Sequence, residues 1–118
     1  MTQNWTAIIE NETQNNPVVL FIRGTADAPR CGFSYRVVKM FRDLNIPFAS
    51  HDMDADPALW QTLKELNNWP TSPQIYVKGE FIGGCDIVTE MAKNGDLQKL
   101  LGLERIQENK QPQSQSLS

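Results

Sequence analysis

The chain has 118 residues, of which 40% are hydrophobic and 21% charged, and its formal net charge is -3. This length supports one domain around one hydrophobic core, and the negative charge excludes a non-specific nucleic-acid-binding protein, which needs a basic face to release counterions from phosphates. The longest apolar run, residues 18–22, is far shorter than the roughly 18 residues that span a bilayer, so we expect no membrane segment.

The first half of the chain alternates helical and strand patterns. Apolar residues at helical spacing predict a helix over residues 5–14, and β-branched and aromatic residues predict a buried strand over residues 18–22. Glycine, aspartate and proline mark a loop over residues 24–30. A second amphipathic helix begins at Gly32 and is stopped by Pro47. Its apolar face is formed by Val37, Val38, Phe41 and Leu44.

The second half adds three strands and three helices. We predict a strand over residues 48–53, a helix that starts at Asp56-Pro57, and a hairpin of residues 74–78 and 80–82. A helix follows from Asp86, and a last amphipathic turn or two ends the sequence of elements. The residues expected to face inward on the helix from Asp86 are Ile87, Met91 and Val88.

The order of elements predicts the fold class. A βαβ unit followed by a ββα unit indicates a mixed sheet flanked by helices, an α/β architecture. We expect one domain over residues 1–106. Residues 107–118 are polar and of low complexity, which predicts a disordered tail.

The two cysteines are Cys31 and Cys85. They are not spaced as metal ligands or as a C-x-x-C pair, so a structural disulfide is not the expected use. The first residues show neither a secretory signal nor an arginine-rich transit peptide. We therefore expect a cytoplasmic protein, in a compartment that keeps thiols reduced.

Cys31 is the candidate reactive residue because it lies where the loop meets the second helix. Unpaired backbone N–H groups and the helix dipole favour a thiolate there. Three nearby arginines, Arg23, Arg30 and Arg36, add positive potential. A thiolate of this kind suits both thiol exchange and metal ligation. From position alone, a buried unreactive cysteine is the alternative.

Three ordered segments carry a family resemblance. Residues 31–34 read Cys-Gly-Phe-Ser, a C-x-x-S sequence where thioredoxin-like proteins carry C-x-x-C. Residues 69–74 read Trp-Pro-Thr-Ser-Pro-Gln, and residues 83–86 read Gly-Gly-Cys-Asp. Together with the preceding loop, these segments resemble monothiol glutaredoxins of the CGFS class. The resemblance covers about residues 5–102 and implies the thioredoxin fold, with a four-stranded mixed sheet flanked by helices.

The resemblance implies a glutathione site. In the family the second proline of the Trp-Pro segment, here Pro73, follows a cis bond and leaves the backbone of Thr71 and Ser72 free to pair with glutathione. The N–H groups of Cys85 and Asp86 suit the γ-glutamyl carboxylate, and the Asp86 carboxylate suits its ammonium. Read without the family, the two segments are a proline at a strand start and a hairpin end with a helix cap.

Some positions depart from the family. The lysine after the first strand is Arg23 here, which keeps a charge for the glycyl carboxylate with a different geometry. An arginine common nine residues before the motif tryptophan is replaced by Trp60, and Lys64 is the candidate substitute. Ser72 stands where an apolar residue is usual. Phe33 is expected to line the site.

One thiolate per chain suggests a shared cluster. A [2Fe–2S] cluster takes four ligands, usually thiolates, and two copies of Cys31 with two glutathiones supply four. This agrees with what the resemblance implies, a glutathione-ligated cluster that bridges a homodimer and is passed to apo iron–sulfur proteins. A BolA-like protein is a further implied partner. Cys31 is therefore both the predicted catalytic residue and the predicted cluster ligand.

Other readings remain open. The same thiol suits a glutathione-dependent monothiol oxidoreductase that deglutathionylates proteins, or an adaptor that acts through a BolA-like partner. The loop insert of residues 25–29 favours the carrier, because family members with it are generally poor in standard glutaredoxin assays. For Cys85 we prefer a buried structural thiol, and a slow resolving partner for glutathionylated Cys31 is the alternative.

Three aspartates, Asp52, Asp54 and Asp56, mimic the start of a calcium loop. The sixth position is Pro57 in place of glycine and the twelfth is Leu63 in place of glutamate. The pattern therefore predicts a solvated acidic turn and no calcium site.

Overall fold

The computed structural model describes residues 4–102. The predicted tail of residues 107–118 lies outside the described residues, as do residues 1–3 and 103–106 of the predicted domain. The elements in chain order are α1 (Trp5–Asn15), β1 (Val18–Ile22), α2 (Gly32–Asp43), β2 (Ala49–Asp52), a short 3₁₀ turn (Met53–Ala55), α3 (Pro57–Asn67), β3 (Gln74–Val77), β4 (Glu80–Gly83), α4 (Cys85–Lys93) and α5 (Asp96–Leu100).

The four strands form one mixed sheet in the order β2-β1-β3-β4. β1 and β2 are parallel, with Val19 opposite Ala49, and α2 supplies the crossover between them. β3 is antiparallel to β1, and β4 is antiparallel to β3. The predicted four-stranded mixed sheet is confirmed.

Helices cover both faces of the sheet, which is why all five residues of β1 are buried. On one face, Val18, Leu20 and Ile22 pack with buried residues of α2, α4 and α5. On the other face, Val19 and Phe21 pack with buried residues of α1 and α3. The core thus has two halves separated by the sheet. In residues 4–102, no helix has the length and apolar character that crossing a membrane requires.

The predicted inward face of α4 is partly wrong. Val88 is fully buried and Met91 is partly buried, but Ile87 is 39% exposed. The helix begins with buried Cys85, so the positions three and seven residues further face the core and Ile87 does not. Ile87 instead packs over Gly83, where a Cβ atom would lie 2.8 Å from the Ile87 Cδ1.

The loop between β1 and α2 is folded tightly around Gly24. Its φ is +89°, and a Cβ atom there would lie 2.6 Å from the carbonyl oxygen of Ala28. The Gly24 N–H donates to Asp52 Oδ1 at 2.9 Å. The Arg30 N–H donates to the Arg23 carbonyl at 2.9 Å and closes the loop directly before α2. Glycine is therefore required at residue 24 by conformation and by space.

Replacing Gly24 by alanine tests this requirement. We expect Gly24→Ala to lower the free energy of unfolding by more than about 2 kcal/mol, because it adds a collision to the left-handed strain. Gly95→Ala is the matched control, since Gly95 has φ +86° with open space around it; it should cost only about 1 kcal/mol. Urea unfolding measures both, and equal losses would contradict the close approach at Gly24.

Candidate functional site

Cys31 caps the N-terminus of α2. The Ser34 N–H donates to its Sγ at 3.4 Å, which satisfies one of the N–H groups that a helix start leaves unpaired. The Cys31 side chain is partly exposed, and both cysteines are free thiols. The thiol is thus accessible and lies at the positive end of a 12-residue helix.

Ser34 links Cys31 to the end of β1. Its hydroxyl is fully buried, accepts the Arg23 N–H at 3.1 Å, and lies 3.5 Å from Cys31 Sγ. The bond from the Arg23 N–H uses only an acceptor site of the Ser34 hydroxyl. The hydroxyl can therefore still donate its own proton to Cys31 Sγ when Cys31 is ionised. Ser34 therefore stabilises the thiolate and holds it near the C-terminal end of β1.

The pKa of Cys31 is lowered by this environment. Partial burial raises the pKa, but the hydrogen bond from the Ser34 hydroxyl, those from the backbone N–H groups of Ser34 and Phe33, and the charge of Arg23 outweigh it. Cys31 thus ionises more readily than an ordinary thiol, as the sequence analysis predicted from the helix start.

Only one of the three nearby arginines contributes its charge to this shift. Arg30 is turned away into ion pairs with Asp52 at 3.3 Å and Asp54 at 3.2 Å. The Arg36 guanidinium lies over the Phe33 ring, 5.7 Å from its centroid. Nearness in sequence therefore overestimated the positive potential at Cys31.

The predicted solvated acidic turn is wrong for Asp52 and Asp54. Their side chains are 23% and 19% exposed and bind arginines. Partial burial raises the pKa of Asp52, but N–H groups of Gly24 and Asp54 and the Arg30 guanidinium lower it below its ordinary value. The carboxylates of this turn hold the loop that precedes Cys31 through the Gly24 N–H and the Arg30 guanidinium.

A groove of about 380 Å³ begins at Phe33, two residues after Cys31. It lies between the start of α2, the loop of residues 69–73 and the start of α4. Its lining residues are Phe33, Trp69, Thr71, Ser72, Gly84, Cys85, Asp86 and Ile87. A more apolar cavity of about 300 Å³ lies at the other end of β1, near Val18, and is remote from Cys31.

The structure divides the predicted glutathione-binding residues into two sets. Five of them line the groove, namely Phe33, Thr71, Ser72, Cys85 and Asp86. Pro73 is buried next to the groove, and the Ser72–Pro73 bond is cis, as the resemblance implied. Arg23 and Lys64 do not line the groove, and each instead lies over the indole ring of Trp60. Cys31 does not line the groove either; it caps the helix that carries Phe33, and the charge of Arg23 acts on its thiolate.

The start of α4 is open to a ligand. Its N-terminal residue is preceded by Gly84, which offers no side-chain cap to the first N–H groups. A Cβ atom on Gly84 would lie 3.2 Å from the Pro73 carbonyl oxygen, so glycine lets the 69–73 loop close on the helix. The Cys85 side chain is buried, 6% exposed, with Sγ 4.0 Å from Thr89 Oγ1. This burial favours a structural thiol over a resolving one.

A buried hydrogen-bond network that the sequence analysis missed shapes the groove wall. The side chain of Gln74 is fully buried, and its Nε2 donates to the carbonyls of Trp69 at 3.0 Å and Thr71 at 3.2 Å. Asn67 donates to Gln74 Oε1 at 2.8 Å and accepts the Tyr76 hydroxyl at 2.9 Å. Burial raises the pKa of Tyr76 and keeps its phenol a donor. The one hint in the sequence was a glutamine, Gln74, at the start of a strand that is otherwise hydrophobic.

The sequence and the fold are both similar to those of known glutaredoxins. Residues 18–82 match the sequence model of the glutaredoxin family. A probable monothiol glutaredoxin 2 of Rickettsia felis is 47% identical over 102 residues, which are 86% of this chain and 98% of that protein. The solution structure of a monomeric truncated mutant of Trypanosoma brucei 1-C-Grx1 superposes with a TM-score of 0.75 at 37% identity, covering 86% of this chain and 92% of that one. A buckwheat glutaredoxin–glutathione complex gives 0.73 at 26% identity, covering 86% and 94%.

Removing the Ser34 hydroxyl should make Cys31 less reactive. Ser34→Ala deletes a hydrogen bond to the thiolate, so its pKa rises and the pH profile of alkylation moves to higher pH. At pH 7 we expect the rate of reaction of Cys31 with iodoacetamide to fall by about fivefold. At high pH, where Cys31 is ionised with and without the Ser34 hydroxyl, the rates of the two proteins converge. All variants carry Cys85→Ser so that one thiol reports. Ser72→Ala is the control, and an unchanged profile in Ser34→Ala would refute this role.

Gln74 should matter more than a second buried glutamine. Gln74→Leu leaves the Trp69 and Thr71 carbonyls and the Asn67 amide unpaired, and we expect a loss of about 2–4 kcal/mol in the free energy of unfolding. The control is Gln98→Leu, because Gln98 makes one bond of 3.3 Å and its Oε1 already lacks a partner; it should cost less than about 1 kcal/mol. Urea unfolding measures both losses, and similar values would contradict the network.

Proposed function

The chain belongs to the glutaredoxin family, as one of its monothiol members with the thioredoxin fold, and from this premise we propose that it is an iron–sulfur cluster carrier. In this proposal two copies of Cys31 and two glutathiones hold a [2Fe–2S] cluster between two chains, and the cluster is passed to acceptor proteins. The observation that carries the proposal is a single accessible thiol of lowered pKa, with Ser34 in the place of a second cysteine.

The ligand count supports sharing of the cluster. Within residues 4–102, no group of three or more histidines, cysteines, aspartates or glutamates is arranged to hold a metal ion. Cys85 is buried, and both cysteines are free thiols. One chain therefore offers one thiolate, while a [2Fe–2S] cluster takes four ligands. A second chain and two external thiols complete that number.

We assign glutathione to the groove beside Cys31. The first turn of α4 offers N–H groups that suit the γ-glutamyl carboxylate, and the Asp86 carboxylate suits the ammonium of the same group. Thr71 and Ser72 border the peptide's path, and Phe33 covers it with a ring that is 53% exposed. The likeness of the whole fold to a buckwheat glutaredoxin that was solved with glutathione supports the assignment.

The residues of this site suit a cargo that must be released. A thiolate ligand has to lose its proton before it binds iron, and the low pKa of Cys31 makes that loss easier near neutral pH. Half of the proposed ligands are small thiols that exchange with the surrounding solution. Such a cluster is held less firmly than one bound by four cysteines of one chain, which favours transfer. The cluster is thus cargo and not a fixed part of the protein.

We further propose the cytoplasm as the location and a BolA-like protein as a partner besides the apo iron–sulfur acceptors. A reducing compartment keeps Cys31 and Cys85 as free thiols and supplies glutathione. An adaptor role through the BolA-like partner alone would not need the thiol of Cys31.

The second candidate function is protein deglutathionylation, which the low pKa of Cys31 favours. The Cys31 thiolate attacks the glutathione sulfur of a glutathionylated protein, forms a Cys31–glutathione disulfide and expels the protein thiolate, which takes up a proton. The thiolate of a second glutathione then attacks the glutathione sulfur of that disulfide. Oxidised glutathione leaves, and the Cys31 thiolate is restored.

Anaerobic cluster reconstitution tests the carrier. We expect visible absorbance in a dimer peak on size exclusion when glutathione is present, and neither colour nor dimer when glutathione is omitted or in Cys31→Ala. The matched control Cys85→Ser removes the other cysteine and should keep both signals. A colourless monomer under all conditions would overturn the carrier, and turnover of a glutathionylated peptide by that monomer would establish the oxidoreductase instead.

A further inference from the structure

Trp60 lies beneath two cations. The Arg23 guanidinium carbon is 5.1 Å from the centroid of the Trp60 ring, and Lys64 Nζ is 5.6 Å from it. Both distances are within the range in which a cation is attracted to the face of an indole. Arg23 comes from the end of β1, whereas Trp60 and Lys64 are one turn apart on α3. One aromatic ring therefore gathers two positive charges from different elements.

The ring is a fixed platform, whereas the cations are flexible. Trp60 is partly buried and packs against the core half that contains Phe21 and Leu63. Its Nε1 is buried without a hydrogen-bond partner, so this edge of the indole faces the protein interior. Arg23 and Lys64 have long side chains that are costly to order. Stacking on a ring held by the core reduces that cost before a ligand arrives.

The cations keep unused hydrogen-bond donors. Arg23 binds Asp54 Oδ2 through Nε at 3.1 Å, and Asp54 also binds Arg30. Within residues 4–102, neither an Nη nitrogen of Arg23 nor Nζ of Lys64 forms an ion pair. The Nη groups of a guanidinium over a ring face can point outward from it, where they suit a carboxylate.

The charges in this cluster do not balance. Arg23 and Arg30 bind the carboxylates of Asp52 and Asp54, and Lys64 adds a third positive charge, so one positive charge is in excess while Cys31 is a neutral thiol. The excess lies at Arg23, next to Cys31, and at Lys64, because Arg30 is bound by both carboxylates. The arrangement fits one further anion close to the thiolate.

We propose that Trp60 is a positioning residue. It holds Lys64 and Arg23, the residue that the resemblance assigns to the terminal carboxylate of glutathione, in place for that carboxylate, and it thereby sets how strongly the protein selects the free acid over its amide. The inference rests on the proposed glutathione site and deepens it. Trp60 itself does not touch the carboxylate. It sets the positions of the two cations and so determines the specificity for that end of the ligand.

The test compares two ligands by titration calorimetry, S-methylglutathione and its glycine amide. Their sulfur is methylated, so neither forms a disulfide with Cys31. We expect the wild type to bind the acid about tenfold more tightly than the amide, and Trp60→Leu to reduce this preference to about threefold or less. The affinity for the amide should change by less than about twofold, because that ligand makes no use of the charges. Trp60→Phe retains an aromatic face and should give an intermediate preference.

Trp5→Leu is the matched control. Trp5 is also a partly buried indole that packs against the same core half, but among the described residues no cation lies over it. Its loss should leave the preference for the acid unchanged. The upfield ring-current shifts of the Arg23 Hε and Lys64 side-chain resonances should disappear in ligand-free Trp60→Leu and persist in Trp5→Leu.

Three outcomes would overturn the inference. Trp60→Leu that keeps the full preference shows that the ring does not position the cations. If Trp60→Leu loses affinity for the acid and the amide equally, the tryptophan has only a general structural role. Urea unfolding of Trp60→Leu and Trp5→Leu measures how much stability each variant has lost. A wild type that binds both ligands equally has no receptor for the carboxylate. A wild type that binds neither ligand is a different result, because it overturns the proposed glutathione site itself.

Discussion

The chemistry of this protein depends on one buried hydroxyl. Ser34 accepts an N–H group from the end of β1 and contacts the sulfur of Cys31 at the start of α2. Two hydrogen bonds therefore fix where the reactive atom lies relative to the sheet. The sheet is covered on both faces, so β1 is a rigid reference for that position. The same hydroxyl lowers the pKa of the thiol, and thus position and ionisation have a common cause.

Around Cys31 the site separates recognition by shape from recognition by charge. The groove next to Phe33 has an open helix start at one end and a wall of loop backbone that Gln74 holds in place. The cations Arg23 and Lys64 stand apart from it on the Trp60 ring. In the proposed glutathione complex, the groove holds one end of the peptide and the two cations hold the other, which keeps the thiol of the ligand near Cys31.

The sequence predicted most of the fold, because the elements rest on local patterns. Strand β1, helices α1 and α3 and the hairpin follow from hydrophobic period and from proline and glycine positions. The face of α4 was predicted less well. Helical spacing alone does not fix the rotation of a short helix, and here the space over Gly83 gives Ile87 its exposed place.

The features of the site that could be predicted from the sequence have local causes, and those that could not be predicted depend on long-range contacts. The low pKa of Cys31 was predictable because a helix start acts over a few residues. The ion pairs of Asp52 and Asp54 with Arg23 and Arg30 join residues more than twenty positions apart, and no local pattern encodes them. The two cations on Trp60 depend on the same long-range packing. The family resemblance marked residue 60 as unusual, but only the fold gives the tryptophan a role.

The sheet has a further consequence at its margins. Both outer strands, β2 and β4, have only four residues, and β4 begins with the exposed acidic side chain of Glu80. Short edge strands, and a charge on one of them, discourage strand addition by another molecule. Two copies of the chain are thus less prone to extend each other's sheet into a ribbon.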